Sequence, residues 1–378
     1  MEPPARVWFA HAIRGPACLL VVFTHLFDLF PNAQTLVAQI AHFKPVTGLP
    51  TVPWFGLLRF LAQHSISTGA VGVLLFFLVS GFVIPFSLEH RTLRGFFVRR
   101  LFRLYPTLWM CLLITVSVLV VQSHIQGTPL PFGKRIVGAS ALLVSPYLGL
   151  PWIEPVFWSL AVEELFYLIA AIVAWRGLLA SRLVIVLLAA GLTATSMATG
   201  GASPGSATFW LGFHATFVIF ILIGVVLHYL HRRRWGPVES LAIAAAIFVL
   251  YVVSIHRGAL APQAAVYLPS SIVALAVFGA LFLVQARLPY SALLDRLSNI
   301  SYPLYLLHGV NGYVVTRAMY VVTDNYYVAV ATALAASVLL ATVVHVLVET
   351  PTNNYGRRLS RRLKPRGRTA EAPSSLPA

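Results

Sequence analysis

Ten stretches of this chain are long and apolar enough to cross a lipid bilayer: roughly 12–30, 66–88, 102–123, 157–175, 182–199, 207–230, 238–255, 267–285, 299–320 and 327–348. A helix needs about 20 mostly apolar residues to span the hydrocarbon. The reading is therefore an all-α protein, a polytopic transmembrane bundle of about ten helices. Composition agrees. Over 378 residues 58% are hydrophobic and 10% charged, against roughly 25% charged in soluble domains. So apolar a chain is not a disordered one, which needs low hydrophobicity and high charge.

Net charge is +16, which alone would point to nucleic acid. The basic residues instead form short clusters between apolar runs, as juxtamembrane loops do, and no nucleic-acid partner is expected. Cys18 and Cys111 both lie inside apolar runs. Neither a disulfide framework nor zinc-ligand spacing is present, and no metal is expected. The N-terminus lacks a short cleavable signal, so the first run is expected to stay as a helix.

The distribution of Lys and Arg sets orientation. One set of loops holds Arg91, Arg94, Arg99, Arg100 and Arg103, then Arg176 and Arg182, Arg232 to Arg234, and Arg287 and Arg296. The tail adds Arg357, Arg358, Arg361, Arg362, Lys364, Arg366 and Arg368, whereas the alternate loops hold only Lys44, Arg59, Lys134, Arg135 and Arg257. Cytoplasmic loops carry the excess. Both termini are thus expected in the cytoplasm, in a bacterial-type inner membrane, and ten spans satisfy every loop. The long connections 31–65 and 124–156 face outward. Within the second, Ala139 to Leu150 is apolar but too short to cross. Residues 1–356 form the transmembrane domain. The basic, then small and polar, tail 357–378 is expected to be disordered, with its Arg cluster on anionic lipid headgroups.

Ionisable side chains inside spans are costly and point to function. The first span carries Arg14, His25 and Asp28. Eleven residues from Arg14 to His25 make about three full turns and a rise of roughly 16 Å, so both lie on one stripe. That puts Arg14 at the cytoplasmic interface and His25 near the midplane. Asp28 is within reach of the same face, where a carboxylate fixes an imidazole's tautomer and raises its basicity. The alternative is a histidine that only hydrogen-bonds between helices.

In the second span, Phe76-Phe77-Leu-Val-Ser80-Gly81-Phe82 suits close helix packing. Ser80 has no base beside it in sequence. Then comes Arg99-Arg100-Leu-Phe-Arg103-Leu-Tyr-Pro106. Arg99 and Arg103 are one turn apart and can act together on a phosphate. Plain topology signalling is the alternative. The fourth span opens Phe157-Trp158-Ser159-Leu-Ala-Val-Glu163-Glu164-Leu-Phe166-Tyr167. Its adjacent carboxylates point about 100° apart, so at most one faces a given cavity. In the ninth span, Tyr302, Tyr305 and His308 recur every three residues and share a face. His308 falls at the depth of His25, and two histidines there suggest one polar cavity. His345 and Glu349 read as structural, near the inner surface.

Taken in order, these segments resemble the acyltransferase-3 family of integral membrane O-acyltransferases. The match includes Arg14 and His25 with ten residues between them, the Phe76-Phe77-Leu-Val-Ser80-Gly81-Phe82 run, Arg99 to Pro106, Trp158 to Tyr167, Ser301-Tyr302-Pro-Leu-Tyr305-Leu-Leu-His308 and Glu349-Thr-Pro351. Leu165 stands where the family commonly has Gln. No appended extracytoplasmic domain is expected after Arg368, and on that expectation the chain resembles the stand-alone kind. The resemblance implies acyl-coenzyme A, typically acetyl-coenzyme A, entering from the cytoplasm, and transfer to a hydroxyl of a glycan, a lipid-linked sugar or a glycosylated small molecule. In the family the Arg…His pair of the first helix is tied to activity. On this reading Arg14, Arg99, Arg100 and Arg103, with Ser159 and Tyr305, hold the donor. His25, Asp28, Glu163, Glu164, Tyr302 and His308 carry the chemistry. His25 is either the general base or a covalent acyl carrier. The rival from another class is a proton-coupled transporter using the same midplane His, Asp and Glu residues.

Overall fold

The structure is a computed structural model that describes residues 7–49, 61, 63–89, 92–130 and 132–363. Among them are thirteen helices and no strand. The first is α1 (Trp8–Asn32). Next come α2 (Gln34–Ala41), α3 (Thr68–Glu89), α4 (Leu93–Gln126), α5 (Lys134–Ala141), α6 (Phe157–Trp175) and α7 (Arg182–Ala198). Then follow α8 (Ala207–His231), α9 (Pro237–Arg257), α10 (Ala264–Val284), α11 (Ala292–Leu307) and α12 (Val310–Thr323). The last is α13 (Tyr326–Arg362).

Eight of these are long and apolar enough to cross a membrane. The shorter α7 and the broken pair α11–α12 complete ten passes between two faces. One face gathers Trp8, Glu89, Arg182, Arg234 and Arg362 and is the basic one. There Arg182 Nε reaches Glu239 Oε1 at 2.6 Å and Arg234 Nη1 reaches Glu89 Oε1 at 3.0 Å. Polar N-caps start several helices: Thr92, Ser181, Ser206, Ser291 and Asn325 each accept an N–H from the first turn that follows. Such N–H groups have no partner inside their own helix.

Close approaches at glycine set the centre. A Cβ on Gly81 would overlap the Ile221 carbonyl, and one on Gly224 would overlap that of Leu78. Helices α3 and α8 therefore touch backbone to backbone, which accounts for the small residues of the Ser80-Gly81 run. A Cβ on Gly15 would lie 2.8 Å from Leu297 Cβ. This contact holds α1 against α11, while Thr24 Oγ1 bonds Thr68 Oγ1 of α3 at 2.6 Å. Helix α1 is thereby clamped between α3 and α11.

Several elements differ from the sequence expectation. The span expected as 299–320 is broken at His308 and Gly309. Helix α4 begins at Leu93, so Arg94, Arg99, Arg100 and Arg103 are all helical. As expected, Ala139 to Leu150 does not cross. It forms the end of α5 and a tight turn at Ser145–Leu148, where Tyr147 Oη bonds His214 Nδ1 at 2.6 Å. The boundary drawn at residue 356 falls inside α13, whose Ser360 Oγ donates to Gly95 O at 2.9 Å. The rest of the tail, with Lys364, Arg366 and Arg368, lies outside the described residues, as do Arg59, Arg91 and parts of the connections 31–65 and 124–156.

Two helices widen to a π turn, at Thr24–Leu29 in α1 and at His345–Glu349 in α13. In the first, Phe30 N–H bonds His25 O, five residues back. The next residue, Pro31, has no N–H to give, so the wide register cannot continue. It would have bonded the Leu26 carbonyl. Tyr326 Oη donates to that carbonyl instead. The second turn repeats the arrangement: Thr350 N–H bonds His345 O, and Pro351 follows.

Candidate active site

A narrow cavity of about 70 Å³ lies between α1, α3, α6 and α11. Its polar lining is Arg14, Ser80, Ser159, Glu163, Ser301, Tyr302 and Tyr305, set among apolar side chains such as Phe76 and Phe77. A few convergent polar groups in an apolar cleft suit a ligand site. Arg14 begins the straight part of α1. Arg103, Glu349 and Glu163 are the charges that act on it most strongly.

The paired carboxylates diverge as their helical spacing requires. Glu163 turns into the cavity and accepts from Ser80 Oγ and Tyr167 Oη on a single oxygen. The acid partner that sequence did not offer Ser80 thus comes from α6. Glu164 is hydrogen-bonded to Tyr105 of α4.

The arginines of α4 separate into two kinds. Arg100 donates to Ser87 Oγ at 3.1 Å and lies over the rings of Phe96 and Tyr167 at 5.5 and 5.1 Å. Much of its capacity thus serves to tie α3, α4 and α6 together. Arg103 has no hydrogen-bond partner among the described residues, and its charge acts on Arg14, Arg100 and Tyr167. Arg99 is half-buried one turn earlier.

Along α11 the tyrosines climb away from the basic face. Tyr302 Oη donates to Leu104 O at 2.9 Å, so its proton is committed to the α4 backbone. Tyr305 Oη bonds Ser159 Oγ at 2.8 Å, and both reach the Val156 carbonyl. The Tyr305 ring is 5.7 Å from that of His308, and His308 is 4.7 Å from His25. Tyr305 therefore stands between the cavity and the histidines.

His308 is fully buried. Its Nδ1 meets Leu304 O at 3.2 Å, and its Nε2 has no partner among the described residues. A carbonyl only accepts, so Nδ1 carries the hydrogen and Nε2 of the neutral ring presents a lone pair. His25 Nδ1 meets Tyr313 Oη at 3.1 Å, with the two rings stacked at 8°. Asp28 does not fill the role expected of it. Its Oδ1 accepts from Asn32 Nδ2 at 3.1 Å. The π turn carries three residues through a smaller arc than an α-turn, moving Asp28 off the stripe of His25. Tyr313 orients the imidazole in its place.

Three more residues of the site were not picked out in sequence. Tyr313 lies five residues past His308, beyond the helix break. Tyr326 serves a carbonyl that only the π turn frees. Glu154 is 1% exposed and accepts from Val310 N–H at 2.9 Å. The one signal for Glu154 was its isolation, as the sole acid between Glu89 and Glu163. His345 Nδ1 and Glu349 Oε2 pair at 2.7 Å, and the charge of Glu349 acts on both Arg14 and Tyr302.

The fold and this polar line through its centre define a multi-pass membrane protein with a buried reaction-type site. A family model described as "Acyltransferase domain" matches residues 7–348, nearly the whole chain, and the protein belongs to the acyltransferase-3 family of membrane acyltransferases. Neither the curated proteins nor the solved structures contain a significant match to the chain.

Proposed function

We propose that the protein transfers an acetyl-sized acyl group from acyl-coenzyme A, entering at the basic, cytoplasmic face, to a hydroxyl of a carbohydrate-type acceptor reaching the opposite side. The observation that carries this reading is the order of groups. A cavity with Arg14 and Glu163 along it reaches Tyr305, and Tyr305 touches a histidine pair beyond.

In this reading Arg103, Arg99 and Arg14 hold the donor's phosphates, for which the guanidinium fork is suited. The acyl thioester reaches Ser159 and Tyr305, whose hydroxyls turn from the Val156 carbonyl to donate to the thioester oxygen as it gains charge. His25, with Nδ1–H on Tyr313, takes the acceptor's proton at Nε2. The acceptor oxygen bonds the acyl carbon, the carbon–sulfur bond breaks, and the thiolate recovers the proton from the imidazolium. The basic end of α13 rests on anionic headgroups.

Membranes carrying the protein, given labelled acetyl-coenzyme A, should release free coenzyme A and label a glycan, lipid-linked sugar or glycosylated metabolite. Both signals should be lost in His25→Ala at normal abundance. Transfer that survives this substitution refutes the assignment. Uptake of a solute without release of coenzyme A would make the protein a carrier.

A further inference from the structure

The break that presents His308 has its cause outside the helices it separates. The loop 149–156 dips among the helices before α6 and carries one acid, Glu154. We propose that Glu154 is a positioning residue for the imidazole pair, its carboxyl group fixing the α11–α12 break so that His308 stands against His25. The inference rests on the acyl-transfer reading above.

Three contacts support it. Val310 opens α12, and its N–H, which has no partner within the helix, donates to Glu154 Oε2 at 2.9 Å. Val156 N–H donates to the same carboxyl group. The other oxygen, Oε1, occupies the space a Gly309 side chain would fill, so any Cβ there would collide with it. The residue between Leu307 and the break is His308. With the helix ending there, its ring folds back onto Leu304 O and leaves Nε2 buried and without a partner among the described residues.

No Lys or Arg pairs with Glu154 among the described residues. The titratable groups that would feel its charge once ionised include Tyr313, Tyr305 and Cys111. Burial pushes its carboxyl up to about 8. At neutral pH it is therefore an uncharged hydrogen-bonding block, which an amide can imitate.

The test compares Glu154→Gln, Glu154→Ala and Gly309→Ala in membranes given labelled acetyl-coenzyme A, with turnover and donor KM measured separately. Glu154→Gln should keep turnover within about threefold. Glu154→Ala and Gly309→Ala should lose about 100-fold, the scale of a misplaced catalytic group, with donor KM within twofold and normal abundance. The proposal falls if Glu154→Ala turns over normally, if donor KM rises in step with the loss, or if Gln fails as badly as Ala. Should wild-type membranes transfer no label at all, the reaction reading has failed. Diethyl pyrocarbonate modification of His25 and His308, located by mass spectrometry, then decides the positioning claim alone. It should speed up in Glu154→Ala and stay at the wild-type rate in Glu154→Gln. Equal rates in all three would refute it.

Discussion

The rings of His25 and His308 lie 4.7 Å apart, centre to centre, with their planes tilted by 57°, and each is anchored by its own helix-breaking device. His25 sits on the π turn that ends at Pro31. His308 sits at the end of α11, where Glu154 caps the helix that follows. Groups that act as one unit give strongly non-additive losses. His25→Ala should cost about 10²–10⁴-fold in turnover, and His308→Ala at least about tenfold. The double variant should be no worse than His25→Ala. Labelled transfer in membranes of matched protein content checks this, and losses that multiply would mean the rings act separately.

Much of this site was legible in sequence because its costliest members are ionisable groups in apolar runs. Arg14, Glu163, Tyr305 and His308 all meet around one cavity or its continuation, on elements whose spacing predicted a shared face. What was not legible depends on departures from regular helix. Assuming an α-turn, Asp28 belongs beside His25. With the π turn, that place goes to Tyr313, on another helix and 288 residues away. The break at His308 was invisible for a similar reason. Its cause, Glu154, lies in a loop, and no periodicity connects a loop residue to the helix it caps.

Arg100 and Arg103 lie close on α4 but should fail differently. Arg103 has no hydrogen-bond partner among the described residues, so Arg103→Ala should raise donor KM about tenfold, the worth of one charge-assisted contact, with little change in thermal stability. Arg100 is bonded to Ser87 and stacked on two rings, so Arg100→Ala should lower the melting midpoint by a few degrees, with a smaller effect on donor KM. Substrate titrations with both variants, beside their melting curves, separate the roles. If Arg103→Ala leaves donor KM unchanged, the phosphate clamp is wrong.

The π turn of α1 gives a pair of opposite expectations. Tyr326→Phe leaves the Leu26 carbonyl buried without a donor, which costs about 1–3 kcal/mol. Its melting midpoint should fall. Pro31→Ala restores a backbone N–H that can bond the Leu26 carbonyl in place of Tyr326, carrying the wide turn one residue further and swinging His25 away from Tyr313. That variant should lose turnover by tenfold or more while melting no lower than the wild type. Wild-type turnover in Pro31→Ala would show that the wide turn has no part in placing the imidazole.

Glu154 also predicts how stability changes with pH. Its folded pKa of about 8 lies above the ordinary carboxylic-acid value of 4.5. Between those values the native state holds a proton that the unfolded chain has released, so stability falls as pH rises across that window. The contribution is complete below about pH 4.5 and is gone once pH passes about 8. Glu154→Gln cannot ionise and removes this dependence. The midpoint of the variant minus that of the wild type should therefore grow as pH is raised from about 5 to 8 and then level off. Cys18 and Cys111 are both buried and free, so a thiol-reactive dye reports unfolding in detergent without added probes. A difference that stays flat across that range would show that Glu154 is already ionised in the native protein, with a cation or water chain neutralising it.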